Sequence, residues 1–170
     1  MQKLEIPDSP FSILYVDIAG LYPTTFKGNR YSVALIDIFL KWPEAYSVNN
    51  ITSDQIAEVL AKFISRHGCP KILISDRGTN FISKAISNVY QRLGIKHVTT
   101  IAYRTRSNAK IERNHSTMNA ALAHLVNTSH SNWDERLDFA LLALRSSVHS
   151  STNETPLLQL GEIFNYPMMF

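Results

Sequence analysis

The segment from Gly68 to Asp76 constrains the fold more than any other. Gly68 can take the left-handed position at a helix C-terminus, and Pro70 prevents the helix from continuing. The run Lys71-Ile72-Leu73-Ile74-Ser75-Asp76 then offers three bulky apolar residues in a row and stops at a carboxylate. A run this short, apolar on both alternating faces and entered from a helix, has the pattern of a central parallel strand, which needs cover on both sides. The chain is therefore read as helices and strands arranged around a sheet. Its 170 residues, 45% hydrophobic and 18% charged, suit one compact domain rather than a disordered segment.

Upstream, Phe11-Ser12-Ile13-Leu14-Tyr15-Val16-Asp17 reads as a buried strand that also ends on a carboxylate. Lys27-Gly28-Asn29 is a hairpin-turn signal. Tyr31 to Ile38 and Glu44 to Val48 follow as strands, broken at Trp42-Pro43. Thr52-Ser53-Asp54-Gln55 offers a capping box for a helix whose apolar stripe is Ile56, Val59, Leu60, Phe63 and Ile64. Downstream of Asp76, the residues Ile82, Ile86, Val89, Tyr90 and Leu93 predict a single helix stopped by Gly94. Ile95 to Thr99 is a fifth strand. Residues 107–126 predict a long helix with Ile111, Met118, Leu122 and Leu125 inward and Asn108, Glu112, Ser116 and Asn119 on the neighbouring polar face. A last helix over 132–148 turns Trp133, Leu137, Leu141, Leu144 and Val148 inward. Three antiparallel strands followed by alternating helices and strands predict an α/β domain, a five-stranded mixed sheet with helices on both faces. Residues 1–10 read as an N-terminal arm, 11–161 as the core and 162–170 as a tail.

No apolar run approaches the length of a membrane span, and Met1 to Glu5 lack the apolar stretch of a signal peptide. The expectation is an intracellular protein with no membrane partner. Cys69 is the single cysteine, which excludes an internal disulfide and a multi-cysteine zinc site. A net charge of +3 and a pI near 9.0 are compatible with nucleic acid. Arg104, Arg106, Lys110 and Arg113 cluster around Glu112. By itself such a cluster is either a solvated basic face or a set of phosphate contacts.

Asp17 and Asp76 stand at the C-terminal ends of predicted strands, where ligands collect in open α/β sheets. Glu112, on the polar face of a helix, can lean back over the sheet. Three converging carboxylates repel one another, and a hard cation such as Mg²⁺ or Mn²⁺ resolves that repulsion. Each residue also has a plainer reading. Asp76 before Arg77-Gly78 can be a turn former, and Glu112 an ordinary helix-surface residue. Asp37 also ends a strand, and composition does not exclude it from such a site. Spacing by itself does not bring the three together.

Asp76 and Glu112 are separated by 35 residues. Around them stand Val16-Asp17, Lys41-Trp42-Pro43-Glu44-Ala45, Arg66-His67-Gly68-Cys69-Pro70-Lys71, Ser75-Asp76-Arg77-Gly78-Thr79-Asn80-Phe81, Asn132-Trp133-Asp134 and Thr155-Pro156. Together, over residues 5 to about 161, these blocks resemble the catalytic core of integrases from gypsy-type LTR retrotransposons and retroviruses, which have the RNase H-like fold and an Asp, Asp-35-Glu pattern. One block departs. Where gypsy-type cores usually read Tyr-His-Pro-Gln-Ser/Thr-Asn-Gly-x-Val-Glu-Arg, this chain reads Tyr103-Arg104-Thr105-Arg106-Ser107-Asn108-Ala109-Lys110-Ile111-Glu112-Arg113. Loss of the proline and glycine changes the backbone preferences of that loop. Leu144-Arg145 also stands where the family often has Tyr-Asn.

The resemblance implies metal-assisted phosphoryl transfer on DNA: 3′-end processing of an element, then strand transfer into target DNA. It implies a two-metal site for Mg²⁺ or Mn²⁺ with Asp17 bridging both ions, Asp76 on one and Glu112 on the other. Arg104, Arg106, Lys110 and Arg113 are the implied phosphate contacts, and Tyr103 and Asn108 the implied contacts to the DNA end. A homodimer or higher oligomer, built on the helices at 53–67 and 132–148, and action in the nucleus after a cytoplasmic particle stage are further implications. The altered loop keeps an alternative open, a domesticated integrase-like domain that binds DNA or protein without catalysis. A nuclease acting on RNA–DNA hybrids fits the fold but not the Lys-Trp-Pro-Glu-Ala block.

Overall fold

Alternation along Ile13–Gly20 decides where the other elements go. Leu14 and Val16 point to one side, Ile13 and Tyr15 to the other, and all four are buried, which only an interior strand can satisfy. In the computed structural model, which describes residues 7–99 and 131–164, this strand (β1, Ile13–Gly20) lies in the middle of a five-stranded sheet. On one side of it come β2 (Tyr31–Asp37) and β3 (Pro43–Val48), both antiparallel to their neighbours. On the other come β4 (Ile72–Ser75) and β5 (Lys96–Thr99), both parallel. The order β3-β2-β1-β4-β5 is the mixed sheet that the sequence predicts.

Helices cover both faces. Leu14, Val16, Val33, Leu35 and Leu73 form one cluster with Ile56, Val59, Leu60 and Phe63 of α1 (Ser53–His67), Phe81 of α2 (Thr79–Ile82), and Ile86 and Tyr90 of α3 (Lys84–Arg92). Burying each such large side chain contributes about 1.5–3 kcal/mol. On the opposite face Ala34 and Ala45 receive Leu137, Ala140 and Leu141 of α4 (Trp133–Ser146). The two alanines leave room for the helix to lie close. A final helix, α5 (Pro156–Ile163), packs on α4.

Four local expectations are corrected. β1 does not end at Asp17 but runs on to Gly20, because β2 continues to pair with it as far as Gly20↔Tyr31. The helix predicted from Ile82 to Leu93 is two helices. Ser83 is extended (φ −60, ψ 155), and its Oγ accepts from Ile86 N to start α3 afresh. Thr52 does cap α1 by accepting from Gln55 N, but its own N–H donates to Asn50 Oδ1 rather than to the Gln55 side chain, whose amide donates to Glu58. Val148 is not inward: α4 stops at Ser146 and leaves it 67% exposed. A further helix, α5, forms where the sequence reading predicts none, with a capping Thr155 hydroxyl and Pro156 in its first turn. The predicted helix over 107–126 lies outside the described residues.

The edge strand β3 is secured by one buried carboxylate. Glu44 Oε1 accepts from Trp42 Nε1 (3.1 Å), His67 Nε2 at the end of α1 (3.1 Å) and an Arg145 terminal nitrogen on α4 (2.9 Å). Arg145 also donates twice to the Pro43 carbonyl and stacks 4.4 Å over the Trp42 ring. The sheet edge is thereby tied to one helix on each face. Burial pushes the Glu44 carboxyl up, but the His67 hydrogen bond, the Arg145 charge and the Trp42 hydrogen bond outweigh it and hold it below its ordinary value. Because the folded value is the lower one, the associated stability is present above the ordinary 4.5 and is lost as pH falls below it. Arg145→Met, which keeps the stem and strands the carboxylate, should cost about 3–5 kcal/mol in denaturant unfolding at neutral pH. In Glu44→Gln the acid limb of the stability profile should flatten. A wild-type denaturation midpoint for Arg145→Met would show that the clamp contributes nothing.

Candidate functional site

The ladder between β1 and β4 places the two described carboxylates. Ile13 faces Ile72, Leu14 faces Leu73 and Tyr15 faces Ile74, so the partner is always 59 residues on. Carried two rungs past the last pair, the same offset sets Asp17 level with Asp76. Neighbouring strands lie about 4.8 Å apart, and residues level across a ladder point to the same side. Both aspartates therefore stand on the face that carries Ile13, Tyr15, Ile72 and Ile74. Asp17 is also level with Ala34, and Ala34 with Ala45, so the row ends beneath α4. After β1 the chain turns towards β2, whereas after β4 it turns the other way, through α2 and α3, to β5. The two carboxylates thus sit where the connections diverge, the point at which an open sheet forms a ligand crevice.

Asp37 does not belong to this site. It pairs with Leu14, near the opposite end of β1 and on the opposite face from Asp17. Its side chain is buried and accepts from the backbone N–H groups of Phe11 (2.9 Å) and Leu40 (2.7 Å). Burial raises its pKa, partly offset by those hydrogen bonds. Asp37 is the anchor of the β2–β3 turn and of the chain entering β1.

Around Asp76 the backbone is tightly specified. Its Oδ1 accepts from Gly78 N (2.8 Å), a side-chain turn that aspartate forms readily. A Cβ on Gly78 would come within 3.0 Å of that Oδ1 and 3.5 Å of the Phe81 ring. On the other side of the chain, Ser75 Oγ donates to the Asp76 carbonyl (2.7 Å) and lies 2.8 Å from His97 Nε2. Burial pulls the His97 pKa down. Asp17 Oδ1 accepts from Ile18 N (2.8 Å). In the sequence Gly78 reads only as a turn residue, and neither Ser75 nor His97 stands out. The one sequence signal for Ser75 is its place beside Asp76, and nothing local marks His97.

The donor set suits a hard divalent cation. By the extended register a carboxylate in β1 and one just past β4 fall on the same face, Asp76 is exposed and forms no ion pair with a described residue, and its Oδ2 has no described protein donor. Among the described residues no group of three or more His, Cys, Asp or Glu side chains comes together. Glu112, the third expected ligand, lies outside the described residues, as do Tyr103, Arg104, Arg106, Asn108, Lys110 and Arg113.

Comparison with known proteins gives a consistent result. The profile of the integrase core domain family matches residues 7–105. The retrovirus-related Pol polyprotein from transposon 412 of Drosophila melanogaster is 28% identical across this whole chain, which spans 14% of that polyprotein's length. The fold is shared with the catalytic core domain of BIV integrase (TM-score 0.70, 23% identity, 92% of this chain and 99% of that one). It is also shared with the HTLV-2 integrase catalytic core domain in complex with magnesium, in a trimeric form (TM-score 0.68, 20% identity, 88% of this chain and 95% of that one).

Gly78 provides a direct check on the role of Asp76. Its backbone (φ −54, ψ 137) is open to any residue, so Gly78→Ala should leave stability unchanged or raise it by about 0.4–1 kcal/mol. The new methyl would nevertheless push the Asp76 carboxylate aside. A Mn²⁺ titration should then show weaker binding in a protein that unfolds no more easily. Unchanged Mn²⁺ affinity would mean that Oδ1 placement is irrelevant to cation binding.

Proposed function

The chain belongs to the integrase core domain family, and on that premise we propose that it is the catalytic core of a mobile-element integrase, performing metal-dependent 3′-end processing and strand transfer of element DNA into target DNA. What supports this reading is the β1–β4 register, which, carried two rungs past Tyr15↔Ile74, sets Asp17 level with Asp76 at the point where the sheet connections diverge. Glu112, 35 residues beyond Asp76, completes the set. Divalent cations bound there supply the positive charge that activates a hydroxyl nucleophile and stabilises the departing 3′-oxygen.

In this scheme Asp17 would be the shared ligand, with Asp76 and Glu112 each holding one of the two cations. Asp76 enters with its carboxylate already oriented by Gly78, so little reorganisation is needed when cations bind. Arg104, Arg106, Lys110 and Arg113 bind backbone phosphates, which makes DNA affinity fall as salt rises. Tyr103 and Asn108 contact the DNA end. The site of action is the nucleus, where target DNA lies.

A second copy of this chain is the proposed protein partner. Of the two helices expected to pair, α1 buries the large side chains of its apolar stripe or packs them against the core, whereas α4 leaves Phe139 and Leu142 56% and 55% exposed. α4 is therefore the better surface, since exposed residues three apart form one apolar strip. Phe139→Glu should shift the sedimenting species from dimer to monomer. A monomer in the unmutated chain at high concentration would remove the idea.

The replacements at Arg104-Thr105-Arg106 and Ala109 favour a second reading, a domesticated domain that binds DNA without catalysis. One assay separates the two. Resolution of a branched strand-transfer mimic needs only the metal site, because the DNA itself positions the reacting groups. The chain should perform this disintegration weakly with Mn²⁺, and Asp76→Asn, which keeps size but removes charge, should abolish it. Activity that survives Asp76→Asn would point to a different site. Mn²⁺ binding without any activity would favour the domesticated reading.

A further inference from the structure

The proposed reaction uses neither Ser75 nor His97, yet the two are joined directly beneath Asp76. Ser75 is fully buried, and its single hydroxyl proton has two possible destinations. One is the Asp76 carbonyl oxygen at 2.7 Å, the other His97 Nε2 at 2.8 Å. A carbonyl can only accept, so the 2.7 Å contact requires the serine proton to point there. Ser75 Oγ is then left to accept, and His97 Nε2 must carry a hydrogen. The imidazole is held for that task. His97 is level with Leu73 on the neighbouring strand, reaches diagonally to Ser75, and packs against the Tyr90 ring of α3 with centroids 4.8 Å apart.

Alternation places Ser75 on the face opposite Asp76. The chain from His97 through Ser75 therefore grips the Asp76 main chain from the buried face, while the carboxylate stands over the open one. Gly78 N–H holds Oδ1 at 2.8 Å. One restraint fixes the peptide and the other fixes the carboxylate, which together determine where Oδ2 points.

We propose that His97, acting through Ser75, is a positioning residue that sets the direction of the Asp76 carboxylate before a cation binds. This rests on Asp76 being a cation ligand, and the test separates the two ideas. Mn²⁺ binding to the 170-residue chain is measured by calorimetry, with the metal-free unfolding temperature as the control for general damage. His97→Phe keeps a ring against Tyr90 but has no N–H, and Ser75→Ala removes the hydroxyl. Each should weaken Mn²⁺ binding by about tenfold, the low end for groups that orient a metal ligand. His97→Gln, whose amide N–H can take the place of Nε2–H, should recover most of the loss. Wild-type affinity in both His97→Phe and Ser75→Ala, with binding abolished by Asp76→Asn, overturns the positioning role. Affinity unchanged by Asp76→Asn overturns the ligand reading instead. Nitrogen-15 spectra of histidine in the unmutated chain decide the matter even where a variant does not fold. The Nε2–H tautomer of His97 is expected, and an Nδ1–H tautomer contradicts the proposal.

Discussion

The parallel pairing of Ile13–Tyr15 with Ile72–Ile74 is the constraint on which the rest depends. It makes β1 an interior strand, and an interior strand must bury both faces. That requirement calls α1 and α3 to one side and α4 to the other. Continued two rungs past its last pair, the same register brings Asp17 level with Asp76, at the place where β4 ends and β1 continues alone with β2. Two charges are brought together there because the apolar residues before them have to share a register. A slip of one residue would turn one aspartate to the opposite face and expose half of a core strand.

Polar groups at this sheet fall into two kinds. Glu44, Asp37 and Ser75 are buried and take their partners from the protein: Trp42, His67 and Arg145 for the first, backbone N–H groups for the second, the Asp76 carbonyl and His97 for the third. Asp76 is exposed, with one carboxylate oxygen spent on Gly78. Buried carboxylates that take their hydrogen bonds from the protein serve as anchors, while a carboxylate held in place but exposed suits a cation. Arg145 is instructive in this respect. It seals the edge strand by reaching Glu44, Pro43 and Trp42 at once.

Elements whose signals are local were legible in the sequence. Continuous apolar runs mark β1 and β2, a cap and an apolar stripe mark α1, and a glycine with a proline marks where it stops. Errors arose where a neighbour in space overrode the local pattern. Ser83, which shares a 2.6 Å hydrogen bond with Ser53, breaks the continuous stripe from Ile82 to Leu93 into two helices. β1 outruns Asp17 because β2 is there to pair with it.

The sequence by itself determined where most of the strands and α1 lie, and that each of two apolar runs leads into an aspartate, because apolar runs, capping and turn chemistry are properties of neighbouring residues. It could not rank Asp37 below Asp17, since both follow similar apolar runs. Only the tertiary structure decided that Asp17 and Asp76 share a face while Asp37 lies at the other end of the sheet. Strand register couples residues 59 apart and is chosen by which faces can be buried together, a long-range condition that no local pattern records.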